Sequence, residues 1–129
     1  MSVDNMVGGL AGKRVLVIED ESLLTMMLED YLEDFGCEVA GTAARLNNAL
    51  EKAAALSFDV AILDVNLHGE QTFPVAAALS TRNIPFVFAT GYGTAGLPSE
   101  LKFIPVLQKP FQQADLEKAL LTAIAGKGR

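Results

Sequence analysis

Five short apolar segments alternate with longer segments of helical spacing along this chain. The apolar segments are rich in Val, Ile and Phe and are continuous instead of alternating with polar residues. Runs of this length and composition are typical of strands buried on both faces of a sheet. The pattern therefore predicts five buried strands, at Val15–Ile18, Val39–Ala43, Val60–Leu63, Phe86–Ala89 and Ile104–Leu107.

The segments between these strands predict four helices and one irregular connection. Thr72 to Arg82 predicts a helix with Pro74 in its first turn, where proline is tolerated. Gly91 to Leu101 contains three glycines and a proline, so it predicts a loop with room for one short helical turn. The other helices are predicted from apolar stripes: Leu24, Leu28, Tyr31 and Phe35 before Gly36; Leu46, Leu50 and Ala53; and Leu116, Leu120 and Ala123 before Gly126.

This order of elements predicts an α/β domain. Strands that alternate with helices form a parallel sheet covered on both faces. For a chain of 129 residues, we expect a single flavodoxin-like, doubly wound domain with five parallel strands in the order 2-1-3-4-5 and a shortened or irregular fourth helix. We expect the domain to span residues 13–126, with a flexible tail at residues 1–12 and a short tail at residues 127–129.

The composition narrows the range of functions. A formal net charge of -6 argues against binding to nucleic acid or to an anionic membrane surface. Cys37 is the single cysteine, so it excludes an internal disulfide and a cysteine-rich zinc site, and its apolar context predicts a small buried side chain. No apolar run is long enough for a membrane span and no signal peptide is recognisable, so we expect a cytoplasmic protein.

Polar residues follow four of the five predicted strands. The acidic run Glu19–Glu21 follows the first strand, Asp64 the third and Thr90 the fourth, and Lys109 follows the fifth after one further residue. Because parallel strands all end at the same edge of a sheet, we expect these side chains to lie close together, where ligands bind in such folds.

Carboxylates, a hydroxyl and an ammonium group together suit phosphoryl chemistry beside a metal ion. Clustered carboxylates repel one another and need a cation, and oxygen ligands with room for water suit Mg²⁺. A carboxylate can also act as a nucleophile and form an aspartyl phosphate. The ammonium of Lys109 and the hydroxyl of Thr90 can stabilise the negative charge on the phosphoryl oxygens.

Each of these residues also has a simpler explanation. Asp20 could cap the following helix, and Asp64 with Asn66 could belong to an ordinary turn. Thr90 could mark a strand exit, and Lys109 could be solvated. Four such coincidences at one sheet edge are less plausible than any one of them, which favours a functional cluster.

The order of these residues resembles the receiver domain of two-component response regulators, over about residues 13–125. The resemblance implies that Asp64 is the phosphoacceptor and that Thr90 and Lys109 contact the phosphoryl group. It also implies that Mg²⁺ is bound by Asp20, Asp64 and the backbone carbonyl of Asn66, with Glu19 acting through water. A cis peptide bond after Lys109 is common in such domains.

A narrower resemblance concerns residues 85–93. This segment is similar to the signature of a single-domain receiver subgroup of alphaproteobacteria, named for its Phe-Ala-Thr-Gly run. The subgroup continues with a hydrophobic residue and then a tyrosine, whereas here Tyr92 and Gly93 occupy those positions. Val106 stands where most receivers carry a switch aromatic, so we expect the loop from Gly91 to Gly96 to reorder instead. Tyr92 is either the reporter of this change or a structural tyrosine packed against the sheet.

The resemblance implies a signalling function. A sensor histidine kinase or a histidine phosphotransfer protein would donate the phosphoryl group, because the lone loop histidine, His68, is expected to be merely exposed. Output would be through contact with an effector protein, onward phosphotransfer or draining of a shared kinase. A receiver-like scaffold stays an alternative. A small aspartyl phosphatase is less plausible, because Asn66 stands where such enzymes need a second aspartate.

Overall fold

The computed structural model describes residues 9–91 and 96–126. Its main sheet consists of five parallel strands, β1 (Arg14–Ile18), β2 (Glu38–Ala43), β3 (Val60–Asp64), β6 (Phe86–Thr90) and β7 (Val106–Gln108). The α-helices are α1 (Ser22–Asp34), α2 (Leu46–Ala55), α3 (Phe73–Thr81) and α4 (Gln113–Ala125). A small antiparallel hairpin is formed by β4 (Asn66–Leu67) and β5 (Glu70–Gln71), and a short 3₁₀ helix covers Ser99–Leu101.

The predicted architecture is confirmed. The main sheet has the order β2-β1-β3-β6-β7, which is 2-1-3-4-5 when only its own strands are counted. Among the described residues, the connection between β6 and β7 holds the 3₁₀ helix in place of an α-helix, as the glycines and proline of this segment predict. Gly36, with a φ of 80°, follows the first helix as predicted.

Two apolar clusters cover the two faces of the sheet. One joins α1 and α4 to residues such as Val17 and Val87, and the other joins α2 and α3 to residues such as Leu16 and Phe88. Neighbouring residues of a strand point to opposite faces, so Leu16 and Val17 belong to different clusters. This explains why the strands read as continuous apolar runs.

The packed part of the chain begins earlier than residue 13, where the sequence placed the domain boundary. Leu10 is fully buried in the cluster that contains α1 and α4, and the Gly12 amide donates a hydrogen bond to the Gly36 carbonyl at 2.8 Å. Burial of a leucine stabilises a fold by about 1.5–3 kcal/mol. Residues 9–12 therefore belong to the folded body.

Cys37 lies partly buried beside this segment. Its thiol lies 3.3 Å from the Leu10 carbonyl and donates a hydrogen bond to it. Burial, with a smaller contribution from the charge of Asp59, raises the pKa of Cys37 to about 11. Because the thiolate is the reactive form, this cysteine is a packing residue, in keeping with its apolar sequence context.

The hairpin between β3 and α3 was not predicted from the sequence. Its two-residue turn places both His68 and Gly69 at positive φ, 51° and 87°, as a type I′ turn requires. Leu67 points into the core and is fully buried. The hairpin thus replaces the loop expected after Asp64 with a defined element at the edge of the sheet.

Candidate functional site

Strand register brings the candidate residues to one edge of the sheet. Ile18 on β1 pairs with Leu63 on β3, so Glu19 and Asp64 follow at the same level. Asp64 pairs with Ala89 on β6, next to Thr90. Thr90 in turn pairs with Gln108 on β7, the residue before Lys109. The large separations in sequence become short distances because all four strands are parallel.

Lys109 connects two of the acidic strand ends. Its Nζ lies 3.1 Å from Asp64 Oδ2 and 3.1 Å from Glu19 Oε1, and its backbone N–H donates to the Thr90 carbonyl at 2.9 Å. The Lys109–Pro110 peptide bond is cis, as the receiver resemblance implies. Burial alone would lower the pKa of Lys109, but the charges of Asp64 and Glu19 raise it overall, so its ammonium stays charged.

Glu19 is the most deeply buried of the acids. Its side chain is 1% exposed, and its Oε2 accepts a hydrogen bond from the Glu21 backbone N–H at 3.1 Å. Burial, and then the nearby charge of Asp64, raise the pKa of Glu19 to about 7. Removal from water is thus the main reason why the charged form of Glu19 is disfavoured, and repulsion from Asp64 adds to it.

Asp20 contacts the hairpin instead of capping the helix that follows it. Its Oδ2 accepts a hydrogen bond from the His68 backbone N–H at 3.0 Å, and α1 has no side-chain cap at its start. Burial alone would raise the pKa of Asp20, but this hydrogen bond and those with the carboxyl groups of Glu19 and Asp64 lower it overall. His68 itself is exposed.

Asp64 lies in a cleft with a volume of about 260 Å³. Thr90 and Lys109 line the same cleft, as do Asn66 and Gln71 from the hairpin. Thr90, like Asp64, is buried, while the cleft gives small molecules access to the site. The Asn66 backbone N–H donates to Asp64 Oδ1 at 3.2 Å, which fixes the orientation of the carboxylate.

The acids of this edge fit a divalent cation. Glu19, Asp20 and Glu21 each offer a carboxylate oxygen, and these oxygens lie within 4.8 Å of one another. Repulsion from Asp64 adds to the effect of burial on Glu19, and a bound cation would relieve it. Hard carboxylate oxygens that retain water are the ligands that Mg²⁺ prefers, so the donor set and its charge suit this ion.

The residues predicted to bind the phosphoryl group or Mg²⁺ thus lie together at this edge of the sheet: Glu19, Asp20, Asp64, Asn66, Thr90 and Lys109. The structure adds two residues to which the sequence assigned no role, Glu21 and Gln71. Glu21 is visible as the third acid of its run, but no sequence signal marks Gln71, because its position depends on the hairpin. Tyr92 and Gly93 lie outside the described residues, as does most of the loop predicted to reorder.

Comparison with known proteins decides the family. The family model "Response regulator receiver domain" matches residues 15–121 of the chain. This chain belongs to the response regulator receiver domain family. Receiver domains are signalling domains, and the match covers every strand and helix described above except the beginning of β1 and the end of α4.

The known relatives agree with this assignment. The structure resembles the solution structure of SdrG from Sphingomonas melonis Fr1, with a TM-score of 0.78, 44% identity, and coverage of 90% of this chain and 97% of that one. A BeF3-activated conformation of SdrG from Pseudomonas melonis Fr1 gives a TM-score of 0.75, with 44% identity and coverage of 88% and 98%. The transcriptional regulatory protein PdtaR from Mycobacterium tuberculosis is 30% identical over 88% of this chain and 57% of its own length.

The chain spans about half the length of the curated relatives that it matches. Among the described residues, no helix is long and apolar enough to cross a membrane.

Proposed function

We propose that this receiver domain accepts a phosphoryl group on Asp64 from a phosphohistidine of a partner sensor histidine kinase or histidine phosphotransfer protein. The observation that supports this most directly is the contact of the Lys109 ammonium with Asp64, at 3.1 Å, inside a cleft also lined by Thr90. A nucleophile, a fixed positive charge and a hydroxyl donor are thus present where a phosphoryl group would enter.

The transfer is a substitution at phosphorus. An oxygen of the Asp64 carboxylate forms a bond to phosphorus, and the bond between phosphorus and the donor imidazole nitrogen breaks. That nitrogen keeps the bonding electron pair, and the product is an acyl phosphate on Asp64. The Lys109 ammonium and the Thr90 hydroxyl would bind the phosphoryl oxygens. The Asn66 backbone N–H donates a hydrogen bond to Oδ1 of Asp64.

Mg²⁺ would be held by Asp20, Asp64 and the Asn66 carbonyl, with Glu19 acting through water. When bound, it would supply positive charge beside the phosphoryl oxygens. Lys109 pairs with both Glu19 and Asp64, so its ammonium group provides a partial counter-charge for the cluster.

The wider assignment follows from the same resemblance. We infer that the chain belongs to the single-domain subgroup with the Phe-Ala-Thr-Gly run, since residues 88–91 carry that run and SdrG is 44% identical. We expect a cytoplasmic phosphoacceptor without a turnover activity of its own on other molecules. Its output would be through an effector protein or onward phosphotransfer, and we expect neither nucleic acid nor membrane as a partner.

The direct test is phosphorylation by a small donor. Wild-type protein incubated with acetyl phosphate and Mg²⁺ should gain the mass of one phosphoryl group, and Asp64→Asn should gain none. Asp30→Asn, the same change at an exposed position of α1, should behave as wild type. Beryllofluoride should shift the amide resonances around Asp64 in the wild type, as the BeF3-activated relative suggests.

No mass gain in the wild type, together with no response to beryllofluoride, would reject the proposal and favour the scaffold. A gain that persists in Asp64→Asn would place the acceptor elsewhere.

A further inference from the structure

Gln71 places a neutral side-chain amide at the wall of the Asp64 cleft. It lies on β5, directly opposite Asn66 on β4, and both residues line the cleft together with Asp64 and Lys109. Side chains of cross-strand partners lie on the same face of a hairpin. The hairpin thus presents two amides to the space in which a phosphoryl group on Asp64 would lie.

The next residue fixes the position of Gln71 relative to Asp64. The Thr72 hydroxyl donates a hydrogen bond to the Asp64 carbonyl at 2.7 Å, and the Thr72 backbone N–H donates to the Val65 carbonyl at 2.9 Å. Thr72 is fully buried. Because Gln71 directly precedes Thr72, these buried hydrogen bonds hold the backbone of Gln71 close to Asp64.

The two amides differ in their availability. The side-chain oxygen of Asn66 accepts a hydrogen bond from the Gly69 backbone N–H at 2.8 Å, so it is engaged in the turn. Within residues 9–91 and 96–126, the carboxamide of Gln71 makes no hydrogen bond. Its oxygen and its NH₂ group can therefore accept from one group and donate to another at the same time.

We propose that Gln71 orients the water molecule that hydrolyses the phosphoryl group on Asp64, and so sets the lifetime of the phosphorylated state. This rests on the proposed phosphorylation of Asp64. The Gln71 carbonyl accepts a hydrogen bond from the water, and its NH₂ group donates to a phosphoryl oxygen.

The hydrolysis step is balanced without any further reactant. The water oxygen forms a bond to phosphorus, and the bond between phosphorus and the Asp64 oxygen breaks. The carboxylate keeps the electron pair, and both protons of the water leave on the released phosphate. The cleft admits water from the open side, where Gln71 is exposed.

The test separates loss of the phosphoryl group from its acquisition. Wild type, Gln71→Ala and Gln71→Leu are phosphorylated with acetyl phosphate and Mg²⁺, the donor is removed, and the decay of the phosphorylated mass is followed. Loss of one oriented hydrogen bond should lengthen the lifetime about three- to tenfold in both variants. The rate of loading should stay within about twofold of wild type, because Gln71 makes no hydrogen bond to the Asp64 carboxylate that attacks phosphorus.

Glu70→Ala is the matched control, since Glu70 lies on the same short strand and does not line the cleft. Its lifetime should equal that of the wild type. An unchanged or shorter lifetime in Gln71→Ala and Gln71→Leu would overturn the role of Gln71, and so would an equal effect in Glu70→Ala. If the wild type acquires no phosphoryl group on Asp64, the proposed function fails instead, and the two failures are distinguished by the mass measurement.

Discussion

Glu19 shows how strongly the residues of this site depend on one another. It lies at the end of β1 with an almost fully buried carboxyl group, 3.1 Å from Lys109. Desolvation disfavours its charged form, the charge of Asp64 disfavours it further, and Lys109 opposes both. The pKa of Glu19 therefore depends on the charges of both Asp64 and Lys109.

The pKa of Glu19 should shift in opposite directions in two variants. In metal-free buffer we expect a pKa of about 7 for Glu19, a lower value in Asp64→Asn, where repulsion is relieved, and a higher value in Lys109→Met, where a counter-charge is lost. The side-chain carboxyl ¹³C resonance followed by NMR against pH gives all three values. Equal pKa values in the three proteins would contradict the electrostatic account.

The residues of this cluster could be recognised from the sequence because each lies at the end of a strand or within two residues of it. A strand fixes the level at which its end lies, so Asp64, Thr90 and Lys109 could be placed at one edge from the sequence alone. The hydrogen-bond partners could not be placed in this way. Asp20 accepts a hydrogen bond from the backbone N–H of His68. This contact depends on the geometry of the hairpin turn, which a single His-Gly pair does not specify.

At the scale of elements, the hairpin is the feature that the sequence conceals. Each of its strands contains two residues, too few for an alternating pattern, and its turn lacks the Asn-Gly or Asp-Gly pair that most clearly indicates a type I′ turn. The longer elements were predictable because apolar spacing repeats several times in each. The hairpin is held instead by contacts with the end of β3, which only the folded chain shows.

Thr72 should be the residue on which this element depends. Thr72→Val keeps the size of the side chain but removes the hydroxyl that donates to the Asp64 carbonyl. Because the site is buried, we expect the free energy of unfolding to fall by about 1–3 kcal/mol. Urea denaturation measures this loss, and faster amide exchange in residues 66–71 would locate it in the hairpin.

Thr81→Val provides the comparison for that experiment. Its hydroxyl also donates to a backbone carbonyl, that of Ala77 at 3.0 Å, but on the exposed side of α3. Its loss should change the free energy of unfolding by no more than about 0.5 kcal/mol. If the two variants lose equal stability, burial of the Thr72 hydrogen bond is not what holds the hairpin.

At the scale of the whole molecule, the site places several of the chain's acids at one edge of the sheet. Glu19 has a folded-state pKa of about 7 against an ordinary value of 4.5, so the folded state binds this proton more tightly than the unfolded state does. The stability that Glu19 contributes is complete below about pH 4.5 and is lost as the pH rises through 7. At neutral pH, ionisation of the buried Glu19 carboxyl group therefore lowers the stability of the domain.

Removal of the acceptor charge should consequently stabilise the metal-free protein. In EDTA at neutral pH, Asp64→Asn relieves the repulsion on Glu19, and relief of about 1 kcal/mol raises Tm by about 3–6 °C in a domain of this size. The difference should shrink toward pH 5, where Glu19 of the wild type is protonated.

Added Mg²⁺ should raise Tm of the wild type more than that of the variant, because a ligand stabilises the state that binds it. Glu51→Gln, which removes an exposed acid from α2, should leave Tm within about 1 °C of the wild type. If Asp64→Asn melts below the wild type in EDTA, the attraction between Asp64 and Lys109 stabilises the fold more than the repulsion between Asp64 and Glu19 destabilises it.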